Sequence, residues 1–338
     1  MAEIDIFLIA LLAIGFDLAI GDPRSIKHPV EIMGLYIKIM ADYLINNFPE
    51  KTIFLYWGGV FISISTIIFS FLFGKILEII FFKSNGNFIF GLTIFFGLSS
   101  CFATKSLISS VKEVSNSISS QQKNNCSREE IVSKVQRIVS RDVSSSSLEH
   151  LLRSATESLT ENSIDGIFAP LFWIFTGVII IKNSIYLPGP LYLGFSYKAI
   201  STLDSMIGYK HGHFKYLGYF SAKIEDFATY IPCRITALTL PLITKKVKNY
   251  FFVIKKSFHE GNQYDSPNSG ISEAIYANIV NIRLGGESVY NNKPVFKPII
   301  NSVGNKPSGE SVNRICNLIL RLQLLWIFIF SLLFFLLI

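Results

Sequence analysis

Long apolar runs set the frame of this chain. Residues 4–20 (IDIFLIALLAIGFDLAI), 53–82, 88–104, 167–185 (IFAPLFWIFTGVIIIKNSI) and 317–338 (NLILRLQLLWIFIFSLLFFLLI) read as membrane-spanning segments, since a hydrocarbon core about 30 Å thick takes roughly 17–25 helical residues. The run at 53–82 is interrupted by Lys75 and Glu78, so only its first part needs to span. Asp17 sits inside the first run, where a carboxylate is costly and hints at function. Between the runs the pattern turns amphipathic. In SREEIVSKVQRIVSRD, Ser127 and Glu130 form a capping box, and Ile131, Val135, Ile138 and Val139 recur at helical spacing. In SSSSLEHLLRSATESLTEN, Leu148, Leu151, Leu152 and Leu159 make a second apolar stripe. Residues 119–125 and 255–270 are polar loops, and Pro188-Gly189-Pro190 is a break from which 191–203 returns as a short or re-entrant helix. No strand-rich block and no internal repeat is visible. The pattern predicts an all-α, polytopic helical membrane protein with helical cytosolic segments, one membrane domain over 1–338.

Composition sharpens that picture. Of 338 residues, 50% are hydrophobic and only 16% are charged, against about 25% charged in soluble domains. The net charge is +7, and Lys and Arg are frequent in two stretches, 105–166 and 209–315. By the positive-inside rule both are cytosolic, which puts the protein in the cell membrane as a multi-pass chain with its active side in the cytosol. No basic run is dense enough to track a phosphate backbone, so nucleic acid is not an expected partner. The four cysteines, Cys101, Cys126, Cys233 and Cys316, form neither a CxxC nor a Cys/His cluster. The acidic start (Glu3, Asp5) and the absence of a small-residue cleavage site argue against a removable signal peptide.

Four polar blocks stand beside the apolar runs. The first, GDPRSIKHPVEIMG, brings Asp22, Arg24 and His28 within seven residues. The second pairs Arg141-Asp142 with Glu157, Glu161-Asn162 and Asp165-Gly166. Its three carboxylates four residues apart share one helix face, at a cost of a few tenths of a kcal/mol per pair. The third carries Asp204, Lys210, Glu225, Asp226 and Arg234; the fourth carries Asn268 and Gly285-Gly286. That glycine pair reads either as a plain turn or as a place where backbone meets a ligand.

The order of these blocks resembles the CbiB/CobD family of cobalamin biosynthesis, the adenosylcobinamide-phosphate synthases. The matching strings are GDPRSIKHPVEIMG, RDVSSSSLEHLLRSATESLTENSIDGIFAPLFW, TLDSMIGYKHGHFKYLGYFSAKIEDFATYIPCRITA and SPNSGISEAIYANIVNIRLGGESVY, covering roughly 15–290. The chain departs from the family pattern in three places: Ser201 and Thr229, where Asn is usual, and Lys223-Ile224-Glu225-Asp226 in place of Arg-Leu-Asp-Asp. The resemblance implies an ATP-dependent ligase that joins a carboxylate of a corrinoid, adenosylcobyric acid, to aminopropanol or its O-phosphate. Activating a carboxylate by phosphoryl transfer calls for Mg²⁺, which prefers one or two carboxylates plus waters. On this reading Asp142, Glu157, Glu161 and Asp165 hold the metal. Glu157, Glu161, Asp165, Asp204 and His28 serve catalysis, with His28 or a carboxylate taking the ammonium proton. Asp22, Arg24, Asn162, Lys210, Asp226, Arg234, Asn268, Gly285 and Gly286 bind substrate and phosphate. No Walker A or GxGxxG string is present, so the ATP site is of another type. The rival readings are an AmpE-like membrane sensor without synthase activity and a transporter using Asp17 and the acidic helix. Residue pattern leaves the oligomeric state, including a homo-oligomer, open.

Overall fold

The computed structural model describes residues 2–21, 29–121, 126–244, 248–290 and 293–337. In chain order its helices are α1 (Ala2–Ala19), α2 (Pro29–Asn47), α3 (Thr52–Lys83), α4 (Phe88–Ser99), α5 (Thr104–Gln121), α6 (Arg128–Gln136), α7 (Leu148–Ser163), α8 (Ala169–Ile181), α9 (Pro190–Ile207), α10 (Phe214–Leu217), α11 (Tyr219–Thr239), α12 (Tyr250–Gly261), α13 (Ser269–Val280) and α14 (Gly309–Leu337). One antiparallel hairpin, β1 (Leu284–Tyr290) and β2 (Lys293–Ile300), interrupts them. The protein is thus an all-α polytopic membrane protein. Among the described residues, four helical stretches are long and apolar enough to cross a membrane: Thr52–Lys83, Phe88–Gln121, Leu148–Ile181 and Gly309–Leu337. The run at 4–20 forms α1 but is not among these four; α1 carries Glu3, Asp5 and Asp17.

The chain divides into two compact units. The first is Met1–Ala103 with Ala169–Thr229 and Ile329–Ile338; the second is Thr104–Phe168 with Tyr230–Phe328. In the first unit α3 and α9 pack closely, with α2 and α8 also against α9. The side chains of α3 that face away from this core are large and apolar: Trp57, Phe61, Ile68 and Phe69 are all more than half exposed. Water would not tolerate such a surface, whereas acyl chains cover it at no cost. Phenylalanines close the interior, with Phe7 stacked on Phe334 at 4.1 Å and Phe175 on Phe330 at 4.8 Å between ring centroids.

The break predicted at 188–190 is where α9 begins, and it is held from α3. Lys75 donates to the carbonyls of Ile185 (2.9 Å) and Leu187, just before the break. Glu78, fully buried, accepts from the N–H groups of Leu191 (2.7 Å) and Tyr192 (3.3 Å), just after it. One turn of α3 therefore supplies donors to carbonyls and an acceptor to the unpaired first-turn amides of α9. A Cβ on Gly189 would collide with the Glu78 carboxylate, so only glycine fits there.

In the second unit α5 packs on α6 and α7, and α13 packs on both α7 and α12. The predicted cap is present: Ser127 Oγ accepts from Glu130 N at 3.2 Å. Ser147 Oγ likewise accepts from His150 N at 3.3 Å and caps α7. Two expectations are revised. The first part of 255–270 is the end of α12, whose register buries Ser257 and Gly261 against α13; only the remainder is loop. The hairpin at 284–300 is a structure that no alternating pattern announces.

Candidate functional site

The second polar block supplies the centre of the site. Glu157 is buried on α7, and four groups from separate segments reach its carboxylate. Arg141 Nη2 lies 2.5 Å from Oε2, Arg153 Nε 3.6 Å from Oε1, Lys297 Nζ 3.9 Å from Oε2, and Gly285 N donates to Oε1 at 3.0 Å. Local structure sets each one. Arg141 stands on the turn after α6, pinned by Gln136 donating to its carbonyl (3.0 Å) and by Ser158 Oγ donating to Ile138 O (2.6 Å). Arg153 precedes Glu157 by one helical turn and also donates to Glu287 O of β1. Lys297 lies on β2 opposite Gly286.

The glycine pair is part of β1 rather than the turn of the hairpin. Gly285 (φ +76°) and Gly286 (φ +90°) adopt left-handed backbone, with the register shifting between Leu284 and Gly286. This is a glycine bulge. It turns the Gly285 N–H toward Glu157, and a Cβ there would strike Pro298 O.

Lys297 also faces Glu273 at 3.5 Å, and Tyr264 Oη is 3.3 Å from the same carboxyl. Burial pushes the Glu273 carboxyl up to about 8; the charges of Glu157 and Glu161 add to this and Lys297 opposes it. Burial draws the Lys297 ammonium down, but the carboxylates of Glu273, Glu157 and Glu161 outweigh it and hold the group above its ordinary range. Burial, with Glu273 beside it, raises the Tyr264 phenol as well. Lys297, Glu273 and Tyr264 went unsingled in the sequence. Glu273 sits in an apolar helix stretch, SGISEAIYANIV, and a lone acid there was the available signal.

The remaining sequence-predicted residues fall as follows. In the second unit, Arg234 Nη1 donates to Asn268 Oδ1 (2.5 Å) and Nη2 to Pro267 O (3.0 Å), while its guanidinium stacks over Tyr230 at 3.4 Å. Asn162 donates to Ser158 Oγ at 2.9 Å. Glu161 is half-buried, with no hydrogen bond or ion pair to the described residues, and its charge is felt by Glu273 and Lys297. Asp165 and Gly166 lie in a single π-turn, Ile164–Phe168, that joins α7 to α8. Pro170 cannot donate four residues back, so the regular ladder fails there, and such widened turns gather at functional sites. Asp204, Lys210 and Asp226 belong to the first unit, where Lys223 pairs with Asp226 at 3.8 Å. Asp22, Arg24 and His28 lie outside the described residues.

The four-carboxylate metal set does not gather. Among the described residues no group of three or more His, Cys, Asp or Glu side chains is placed to hold an ion. The reason is local. The charge of Glu157 is already met by three cations, and Asp142 is exposed with its carboxylate accepting from Ser144 N at 2.9 Å. The repulsion expected along this helix face is relieved by arginine and lysine.

A family model, the CobD/Cbib protein family, matches residues 10–319. Among curated relatives, "Cobalamin biosynthesis protein CobD" of Synechocystis sp. is 34% identical over 298 residues, covering 87% of this chain and 82% of the relative. The proteins of the same name from Streptococcus sanguinis (31% over 338 residues; 98% and 97%) and Clostridium acetobutylicum (30% over 324 residues; 95% and 96%) match over nearly their full lengths. No solved structure matches the chain. With the family's polar blocks in order and relatives aligned end to end, this chain belongs to the CobD/CbiB family of cobalamin biosynthesis proteins.

Proposed function

We propose that this protein is an ATP-dependent amide ligase that joins a side-chain carboxylate of adenosylcobyric acid to aminopropanol or its O-phosphate. The observation that carries the reading is the ring of Arg141, Arg153 and Lys297 around buried Glu157. Amide formation from a carboxylate needs that carboxylate activated. Its oxygen attacks the γ-phosphorus of ATP, giving an acyl phosphate and ADP; the amine nitrogen then attacks the acyl carbon, phosphate leaves, and the ammonium proton passes to a base. Every stage carries phosphate charge, which fixed cations in a partly dehydrated site stabilise without reorganising. Glu157 fixes them, and the hairpin ties Lys297 and Gly285 to the same carboxylate. Mg²⁺ accompanying the nucleotide would supply charge neutralisation, with Glu161 as a carboxylate that could meet it.

Glu161, whose carboxylate makes no hydrogen bond or ion pair among the described residues, is available to meet the substrate ammonium or a cation. Arg234 and Asn268 present a second polar pair in the same unit. The loops 105–166 and 209–315 face the cytosol in this reading, where a large polar corrinoid and ATP have access. The test is amide formation in membranes. Glu161→Gln or Asp165→Asn should abolish it with protein abundance near wild type; normal cobinamide synthesis by either variant overturns its assigned role. Purified protein that binds no corrinoid and consumes no ATP with aminopropanol phosphate would favour the AmpE-like alternative.

A further inference from the structure

Beside the Arg141–Glu157–Arg153 assembly lies a small cleft of about 130 Å³, formed within the second unit. Its buried lining is Arg141, Val143 and Ser154, with half-buried Arg153, His150 and Ser146 beside them. Two acids also line it, Asp142 and Glu287. Both are exposed, and Asp142 is turned onto Ser144 N. Exposed charges are screened by water and salt more than these less exposed guanidinium groups, and the single charge of Glu157 does not balance both arginines, so positive charge remains beside the cleft. Arg153 Nε is buried and makes no hydrogen bond, though its Nη2 donates to Glu287 O. Nε stands 3.6 Å from Glu157 Oε1, so its charge is met while its hydrogen-bonding capacity is not, and a buried donor without a hydrogen bond is costly. The volume is well below the roughly 300 Å³ of pockets that take whole nucleosides or larger ligands.

We propose that this cleft is a phosphate-binding site: Arg153 and Arg141, with His150, Ser146 and Ser154, receive the terminal phosphate of a phosphorylated substrate. The proposal rests on the ligase reading for the identity of that substrate, and on geometry for the phosphate. A guanidinium fork matches phosphate oxygens, and hydroxyls complete the donor set. Two sources share the chemistry, the phosphoester of an amino alcohol and the polyphosphate of a nucleotide.

The test is calorimetric titration of the full chain in lipid nanodiscs with inorganic phosphate, O-phosphoethanolamine and ATP. Arg153→Gln should weaken the phosphate-bearing ligand at least about tenfold, the loss expected for a charge-assisted hydrogen bond, and Arg153→Lys should restore part of it. Weakening confined to O-phosphoethanolamine assigns the cleft to the phosphoester; weakening confined to ATP assigns it to the nucleotide. Unchanged affinities for all three in a folded Arg153→Gln protein overturn the site, as does wild-type protein that binds none of them. Should Arg153→Gln fail to fold, His150→Gln carries the test, since the His150 side chain makes no ion pair among the described residues, and unchanged binding there is equally fatal. Titration reads binding without turnover, so an inactive ligase with phosphate binding lost in the variants refutes the proposed reaction and leaves the cleft standing.

Discussion

Two carboxylates, Glu78 and Glu157, are both buried and both sit on helices long enough to span a membrane, yet their surroundings differ in kind. Glu78 is met by backbone: the amides that open α9 point at it, and neighbouring Lys75 takes the carbonyls on the other side of the break. Glu157 is met by side chains, Arg141, Arg153 and Lys297, drawn from a turn, its own helix and a hairpin. The first arrangement shapes a chain reversal through one oxygen of Glu78, the other making no hydrogen bond. The second collects more positive charge than one carboxylate needs, and Arg153 Nε, 3.6 Å from Glu157 Oε1, makes no hydrogen bond. Acids in apolar helices are therefore not equivalent signals; what meets them separates a structural carboxylate from a site.

The largest expected effect breaks the side-chain arrangement. Glu157→Ala should destabilise the protein by about 3–5 kcal/mol, because it strands three cations around a vacated position. Thermal unfolding in nanodiscs measures this. A loss under about 1 kcal/mol would mean that the cations find water or lipid headgroups instead.

Breaking the backbone arrangement should cost less. Glu78→Leu leaves the Leu191 and Tyr192 amides without an acceptor, a loss of about 1–3 kcal/mol, while Glu78→Gln keeps a carbonyl in place and loses less. Neither should change amide formation per folded molecule. A drop in specific activity with Glu78→Gln would move this residue from the fold to the site. Gly189→Ala should behave like the harsher of the two, since its Cβ collides with that carboxylate.

The gentlest test uses pH. Glu273 is held protonated up to about 8 in the folded protein, through burial first and then the neighbouring charges of Glu157 and Glu161. Unfolded, it titrates near its ordinary value. Between those two values the folded state holds a proton that the unfolded state has released, so this group's contribution to stability is present in acid and falls as pH rises toward about 8. The slope is at most about 1.4 kcal/mol per pH unit for one proton. Glu273→Gln should flatten the melting profile across this window; an unchanged profile would show that Lys297 keeps Glu273 ionised.

Much of the fold was legible in the order of residues. Apolar runs long enough to span located α3, α4, α8 and α14, because a helix in lipid must satisfy its own backbone and so announces itself by length and composition alone. Ser127 marked a helix start, because a cap is chemistry between residues three apart. The hairpin was not legible. Its strands carry glycines, prolines and lysines where alternation would be the sign, and its seat comes from Glu157, more than a hundred residues away.

By itself, then, the sequence determined a helical membrane protein of the CobD/CbiB family and the short-range features of that fold, since hydropathy and capping act over one to a few turns. Only the tertiary structure decided what each buried charge does. Glu157 is surrounded by guanidinium, ammonium and amide groups rather than by other carboxylates, and Glu273, Lys297 and Tyr264 join its neighbourhood, because residues from α7, the 141 turn, α12–α13 and the hairpin meet only once the chain has packed. An ion in low dielectric takes whatever opposite charge folding brings within a few ångströms, and that distance is written nowhere along the chain.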